Sequence, residues 1–124
     1  MPTVLAVAMG GALGAVSRYG LDRLIEHRSF AVFPWSTFTI NMSGCFLIGV
    51  VIAALVDRHQ APGWLRVGLV VGVLGGYTTF STFAQETLDL LRSDDVTVAL
   101  VYSTGSLVTG VLAVLGGTMV GRAL

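Results

Sequence analysis

The sequence predicts an all-α membrane protein with four transmembrane helices in a single domain, residues 1–124. Apolar residues make up 54% of the chain and charged residues only 11%, a balance outside the usual range of soluble domains. Four stretches, residues 1–17, 29–56, 67–85 and 96–121, contain no Asp, Glu, Lys or Arg, and a helix needs roughly 20 residues to cross a bilayer. A soluble four-helix bundle would need a charged stripe along each helix, and none of these stretches has one.

The first helix is expected over residues 3–24. Gly10 and Gly14 are four residues apart, the spacing of small residues that lets two membrane helices approach closely. Arg18 lies one turn further on the same face, where its side chain either reaches the membrane surface or faces an aqueous vestibule. Residues 6–8 resemble a signal-peptide cleavage site, but the residues before them are too few and include no basic side chain, so we expect this helix to be retained.

The second helix is expected over residues 35–56, after a proline suited to a first turn and with a tryptophan at the membrane surface. Thr37, Asn41 and Gly44 lie at helical spacing on one face. Asn41 therefore either hydrogen-bonds a neighbouring helix or donates to a solute in a pore. Cys45 has no partner for a disulfide within the chain, and we interpret it as a small packing residue.

The third helix is expected over residues 63–92, with a break near residues 75–79. Gly68, Gly72 and Gly76 follow one another at intervals of four, which places the break against another helix. A glycine pair followed by β-branched threonines continues a helix poorly. A break within lipid survives only where it is buried or lines a cavity, and the backbone carbonyls that it frees can coordinate a hard cation.

The fourth helix is expected over residues 95–121, with an N-terminal cap from residues 93–95. Tyr102, Ser106 and Thr109 form a second polar stripe, and Gly117 and Gly121 form another close-packing pair.

The arginines near the helix ends are almost balanced between the two sides of the membrane. The side of the second loop and the C-terminus carries three arginines: Arg58, Arg66 and Arg122. The other side carries four: Arg18, Arg23, Arg28 and Arg92. Because arginine and lysine bias sets orientation, this balance favours insertion in both directions and an antiparallel dimer, with a weakly oriented single topology as the alternative.

The predicted spans lack the groups that most enzymes and proton-coupled transporters need. They contain no carboxylate, histidine or lysine at mid-membrane, and no nucleophile–base pair, zinc cluster or phosphate loop occurs in the chain, so we expect no enzymatic activity. The chain has no basic cluster for nucleic acid. Hydroxyl groups, an amide and aromatic ring edges remain, and these suit a small anion, although the same residues also serve in packing.

Three motifs resemble those of the bacterial fluoride channel family, known as CrcB or Fluc. The resemblance covers essentially the whole chain and is most specific at residues 75–83, GGYTTFSTF. The motifs in the first two helices are Gly10-Gly11, Gly14-Ala15 and Arg18-Tyr19, and Asn41, Gly44-Cys45-Phe46 and Gly49.

The resemblance implies an antiparallel, dual-topology homodimer in the bacterial inner membrane with two fluoride pores. It implies that the carbonyls of Gly75 and Thr78 hold a structural Na⁺ at the dimer centre. The implied pore residues are Asn41, Phe80, Phe83, Thr82, Tyr102 and Ser106, with Arg18 and Glu86 in or near a vestibule. The implied function is passive export of cytoplasmic fluoride, which confers fluoride resistance; the partners are fluoride, membrane lipid and a second copy of the chain.

Two other classes of membrane protein compete with a fluoride channel. A small dual-topology multidrug exporter would carry a glutamate midway along the first helix, where this chain has Gly10, Gly11 and Gly14. A structural or regulatory subunit would use its polar stripes only for packing.

Overall fold

The computed structural model describes residues 2–56 and 61–124, and every regular element in them is helical. Four spans are long and apolar enough to cross a membrane: Pro2–Glu26, Trp35–Leu55, Gly63–Arg92 and Val96–Ala123. We call them the first to fourth spans. The chain is therefore a multi-pass membrane protein, as the charge-free stretches predicted. Arg58, which the arginine count includes, lies outside the described residues.

The second span is an α-helix over Trp35–Val51 that continues in wider π-type turns over Ile52–Val56. The third span begins as an α-helix over Gly63–Val67, has π-type turns over Gly68–Leu74 and returns to α-helical turns over Gly75–Tyr77. Its second half is an α-helix over Phe80–Arg92.

The third span bends between its two halves, at two threonines. Thr78 has φ −82° and ψ 159°, and Thr79 has φ −148° and ψ 114°, so both residues are extended. Gly75, by contrast, has helical angles, φ −64° and ψ −37°. The glycine pair thus belongs to the helix, and the irregular residues are the threonines that follow it.

Glycines bring the first span against the first half of the third span at backbone contact distance. A Cβ atom added at Gly14 would lie 2.1 Å from the carbonyl oxygen of Val73, and one added at Gly76 would lie 2.6 Å from that of Gly11. Gly10 is equally close to the Gly68 carbonyl, at 2.5 Å. The two predicted glycine stripes therefore face each other, and a larger side chain at these positions would push the helices apart.

The second and fourth spans meet through a similar set of glycines. A Cβ atom at Gly49 would lie 2.3 Å from the Val114 carbonyl oxygen, and one at Gly117 would lie 2.0 Å from that of Phe46. Ile40 on the second span and Tyr102 on the fourth are the largest fully buried side chains of the described residues. Most other large apolar side chains face outward, as expected for helices whose surroundings are lipid.

The start of the fourth span differs from the prediction in its cap. Asp95 occupies the N-cap position, but its side chain makes no capping hydrogen bond. The Ser93 hydroxyl instead donates to the Asp89 carbonyl at 2.9 Å, at the end of the preceding helix, and Asp94 has φ 61°. The residues predicted as a cap thus form a tight turn. Asp94 has the left-handed backbone conformation in this turn, which aspartate adopts more readily than most residues do.

Candidate functional site

The bend in the third span is held by one side chain of the second span. The Asn41 amide nitrogen donates to the Thr79 carbonyl at 3.0 Å, and the Thr79 N–H donates to the Asn41 amide oxygen at 2.9 Å. Thr79 is buried, so its backbone groups need partners within the protein. The Asn41 side chain supplies a donor for the carbonyl and an acceptor for the N–H, as the backbone of a neighbouring β-strand would.

The backbone carbonyls of residues 75–78 lose their usual α-helical donors at this bend, as the last four carbonyls of a helix do, and those of Gly75 and Thr78 are two of them. An undisturbed helix would have the Thr79 N–H donate to the Gly75 carbonyl, but this N–H bonds Asn41 instead. The Thr82 N–H would likewise reach the Thr78 carbonyl, but it donates to the Thr79 hydroxyl at 3.3 Å as an N-cap. The carbonyls of Gly75 and Thr78 are thereby released from the helical hydrogen-bonding pattern.

Two further hydrogen bonds fix the residues before the bend. The Thr78 hydroxyl donates to the Leu74 carbonyl at 2.9 Å. The hydroxyls of Tyr77 and Ser43 are 2.8 Å apart, and Ser43 also contacts the carbonyls of Thr39 and Ile40 on its own helix. Because these carbonyls can only accept, the Ser43 hydrogen points to them and Tyr77 is the donor to Ser43.

A groove of about 400 Å³ opens beside the bend. Its lining includes six of the predicted site residues: Asn41, Gly75, Thr78, Phe80, Phe83 and Ser106. Cys45 and apolar side chains such as Met42 and Leu107 complete the wall. The Ser106 hydroxyl is buried and has no hydrogen-bond partner among the residues that the structure describes. This groove is the candidate functional site.

A series of aromatic rings leads from the groove toward the first loop. The ring centroids of Phe80 and Phe83 are 5.7 Å apart, those of Phe83 and Tyr102 are 5.1 Å apart, and those of Tyr102 and Phe33 are 5.3 Å apart. Phe80 lies at the open end of the series and is 79% exposed, whereas Tyr102 is fully buried. The rings therefore form a continuous aromatic series along this direction, and the edge of an aromatic ring carries positive partial charge.

Glu86 lies beside Tyr102 and is held by two hydroxyl groups. Thr37 donates to one carboxylate oxygen at 2.7 Å, and Tyr102 donates to the other at 2.6 Å. Hydrogen bonds to a carboxylate are among the stronger ones in proteins. Hydrogen bonds thus connect Glu86 to Tyr102 on the fourth span and to Thr37 on the second span.

Arg18 and Thr82 do not line the groove. Arg18 is half-buried on the first span, and the Thr82 hydroxyl accepts from the Thr79 hydroxyl at 2.9 Å. Ser43 and Tyr77 were not predicted as site residues from the sequence. Thr37 could have been predicted as a site residue, because it shares a helical face with Asn41.

Comparison with known proteins identifies the family. Residues 5–118 match the family described as CrcB-like protein, Camphor Resistance (CrcB). A relative from Thermus thermophilus, named fluoride-specific ion channel FluC, is 45% identical over 124 residues, which cover 100% of this chain and 98% of the relative. Relatives of the same name from Acidobacterium capsulatum and Flavobacterium psychrophilum are 45% and 36% identical, covering 95% and 100% of this chain and 94% and 100% of their own lengths.

These relatives are named as ion channels and not as enzymes, in agreement with the expectation from the spans. The match extends from the first span into the fourth and includes both the bend and the groove. The chain belongs to the CrcB family.

Proposed function

We propose that this chain forms a fluoride-selective ion channel through which cytoplasmic fluoride leaves a bacterial cell. The relatives' names support fluoride as the permeant ion. The observation that carries the proposal is the buried, unpartnered Ser106 hydroxyl in the groove beside Phe80 and Phe83. An unpaired buried hydroxyl is costly, and a small anion would accept its hydrogen bond.

The path runs from the groove along the aromatic rings to Tyr102 and Glu86. Fluoride would accept hydrogen bonds from hydroxyl groups and meet the positive ring edges of Phe80 and Phe83. In this proposal Thr82 lies near the open end and Arg18 lies at the aqueous entrance, where its charge would raise the local anion concentration. Between the entrance at Arg18 and Glu86, the described residues assigned to the path include no positively charged side chain, which lets an ion leave as readily as it enters.

Two antiparallel copies of the chain would enclose this path. One chain alone leaves the groove open and Phe80 79% exposed, so the wall is incomplete. A second copy inserted in the opposite direction is consistent with the balanced arginines and would give two equivalent paths per dimer.

A structural Na⁺ fits the centre of such a dimer. The carbonyls of Gly75 and Thr78, both released from the helical pattern by the bend, are hard oxygen ligands, and a two-fold axis would double their number. Gly75 is exposed in the single chain and can face a partner. When bound, the ion supplies a fixed positive charge between the two anion paths.

The physiological role would be fluoride resistance. Hydrogen fluoride crosses membranes as a neutral acid and dissociates in the cytoplasm, and a passive channel lets the negative membrane potential drive the anion out. Such flow needs no ATP and no proton relay, which agrees with spans that lack ionisable groups at mid-membrane.

Anion efflux from liposomes containing only the purified protein tests the proposal. We expect rapid fluoride release without chloride release, and loss of fluoride release in Phe80→Ile and Asn41→Asp. Phe46→Ile is the matched control, because Phe46 is also an exposed phenylalanine but does not line the groove. Equal fluoride and chloride release, or none from folded protein, would refute the proposal. Loss of the dimer when Na⁺ is replaced by a larger cation would support the ion site.

A further inference from the structure

A second groove lies at the start of the third span and adjoins the candidate channel site at Val70. It has a volume of about 330 Å³ and is lined by Ile52, Gly63, Arg66, Val67, Val70 and Val71. We call it the Arg66 groove. Among the described residues that line it, Arg66 is the only charged one, and the others are aliphatic or glycine. Only Val70 also lines the candidate channel site.

The guanidinium of Arg66 is incompletely paired in this groove. Among the described residues, its buried Nε atom has no hydrogen-bond partner and no carboxylate forms an ion pair with the guanidinium. A buried N–H of a charged group that lacks an acceptor is costly. The groove thus presents a cation that needs an anionic oxygen.

The position of Arg66 relative to the bilayer indicates the kind of anion. Trp64, two residues earlier, is 46% exposed, and tryptophan is enriched at the membrane surface. From Arg66 the aliphatic wall continues toward the membrane interior through Val67 and Val71, which are 37% and 58% exposed. An inorganic anion would contact only the arginine, whereas a phospholipid would use both the charged end and the apolar wall.

We propose that the Arg66 groove binds one anionic phospholipid. The guanidinium holds the phosphate oxygens, for which its planar donor geometry is well suited, and one acyl chain lies along Val67 and Val71. Basic pockets beside membrane helices bind anionic head groups in this way. In an antiparallel dimer the two copies of the groove would face opposite leaflets, so each leaflet would supply one lipid.

Native mass spectrometry of the purified protein tests this site. The protein is incubated with equal amounts of phosphatidylglycerol and phosphatidylcholine that carry the same acyl chains. We expect preferential retention of phosphatidylglycerol, reduced about fivefold in Arg66→Gln, the ratio that corresponds to about 1 kcal/mol per arginine near an anionic surface. Arg92→Gln is the matched control, because Arg92 is an exposed arginine at the other end of the same span.

A second variant separates the apolar wall from the charge. Val71→Trp fills the groove while leaving Arg66 in place, and we expect it to reduce retention of both lipids. If Arg66→Gln fails to fold, lipid retention by Val71→Trp tests the proposal in its place. Equal phosphatidylglycerol retention by the wild type and Arg66→Gln, or an equal loss in Arg92→Gln, would overturn the proposal. Efficient disulfide cross-linking of Val71→Cys between two copies, in a Cys45→Ala background, would do so too, because a second chain would then cover the groove.

Discussion

Gly44→Ala should destabilise the bend of the third span. A Cβ atom at Gly44 would lie 2.2 Å from the Cγ2 methyl of Thr78, far inside normal contact distance. The methyl cannot rotate away without cost, because the Thr78 hydroxyl is bound to the Leu74 carbonyl. Overpacking by one methyl group typically costs about 1–3 kcal/mol, and we expect a loss of folding free energy in this range together with reduced fluoride efflux.

Adding Thr78→Ser to Gly44→Ala tests whether the threonine methyl group causes the loss of stability. Serine keeps the hydroxyl that bonds Leu74 but lacks the clashing methyl group. The next nearest atoms to the added Cβ are Tyr77 Cδ1 at 3.4 Å and Thr78 Cβ at 3.7 Å, both ordinary contacts. The double variant should therefore regain most of the stability that Gly44→Ala loses.

Denaturant unfolding of the four proteins in detergent measures this coupling as a double-mutant cycle. Gly105→Ala is the matched control, because a Cβ atom there meets nothing within 4 Å. Its stability should equal that of the wild type or exceed it by up to about 1 kcal/mol, since alanine favours helix. A Gly44→Ala protein as stable as the wild type, or a double variant no better than Gly44→Ala, would refute the packing argument.

Three further substitutions test separate contacts. Asn41→Leu removes both partners of the Thr79 backbone, at about 1–3 kcal/mol for each buried group, and hydrogen exchange at the Thr79 amide should accelerate; unchanged protection would contradict this role for Asn41. Tyr102→Phe removes one donor to the Glu86 carboxylate and should cost about 1.5–3 kcal/mol in unfolding measurements; a smaller loss would mean that another donor replaces the hydroxyl. Phe80→Ile should abolish fluoride efflux while leaving the unfolding free energy of the monomer almost unchanged, because the side chain is 79% exposed; a large loss of monomer stability would show that Phe80 packs within the chain.

The four spans and their glycine contacts were predictable because their signals are local. Charge-free stretches of sufficient length indicate spans, and glycines four residues apart indicate where two helices touch. Gly10 and Gly14 do meet the backbone of the third span, as their spacing indicated. The sequence did not show which helix each stripe would face.

The arrangement at the bend was harder to predict because it depends on contacts between distant residues. Gly75 and Gly76 could equally permit a bend or permit close packing, and Gly76 serves the second purpose against Gly11. The Asn41 amide could bond another helix or a solute, and its pairing with the Thr79 backbone requires residues 38 positions apart to meet. A pattern in one segment does not encode such a meeting.

The glycine contacts also divide the helices into two tightly packed pairs. The first span and residues 63–77 touch backbone to backbone, as do the second and fourth spans, so each pair has little room to slide. Phe80–Arg92 is tied to the second and fourth spans through Glu86. A change in bilayer thickness or tension would therefore act on two nearly rigid bodies, and the load would fall on the hydrogen bonds that join them at the bend, between Asn41 and Thr79 and between Ser43 and Tyr77.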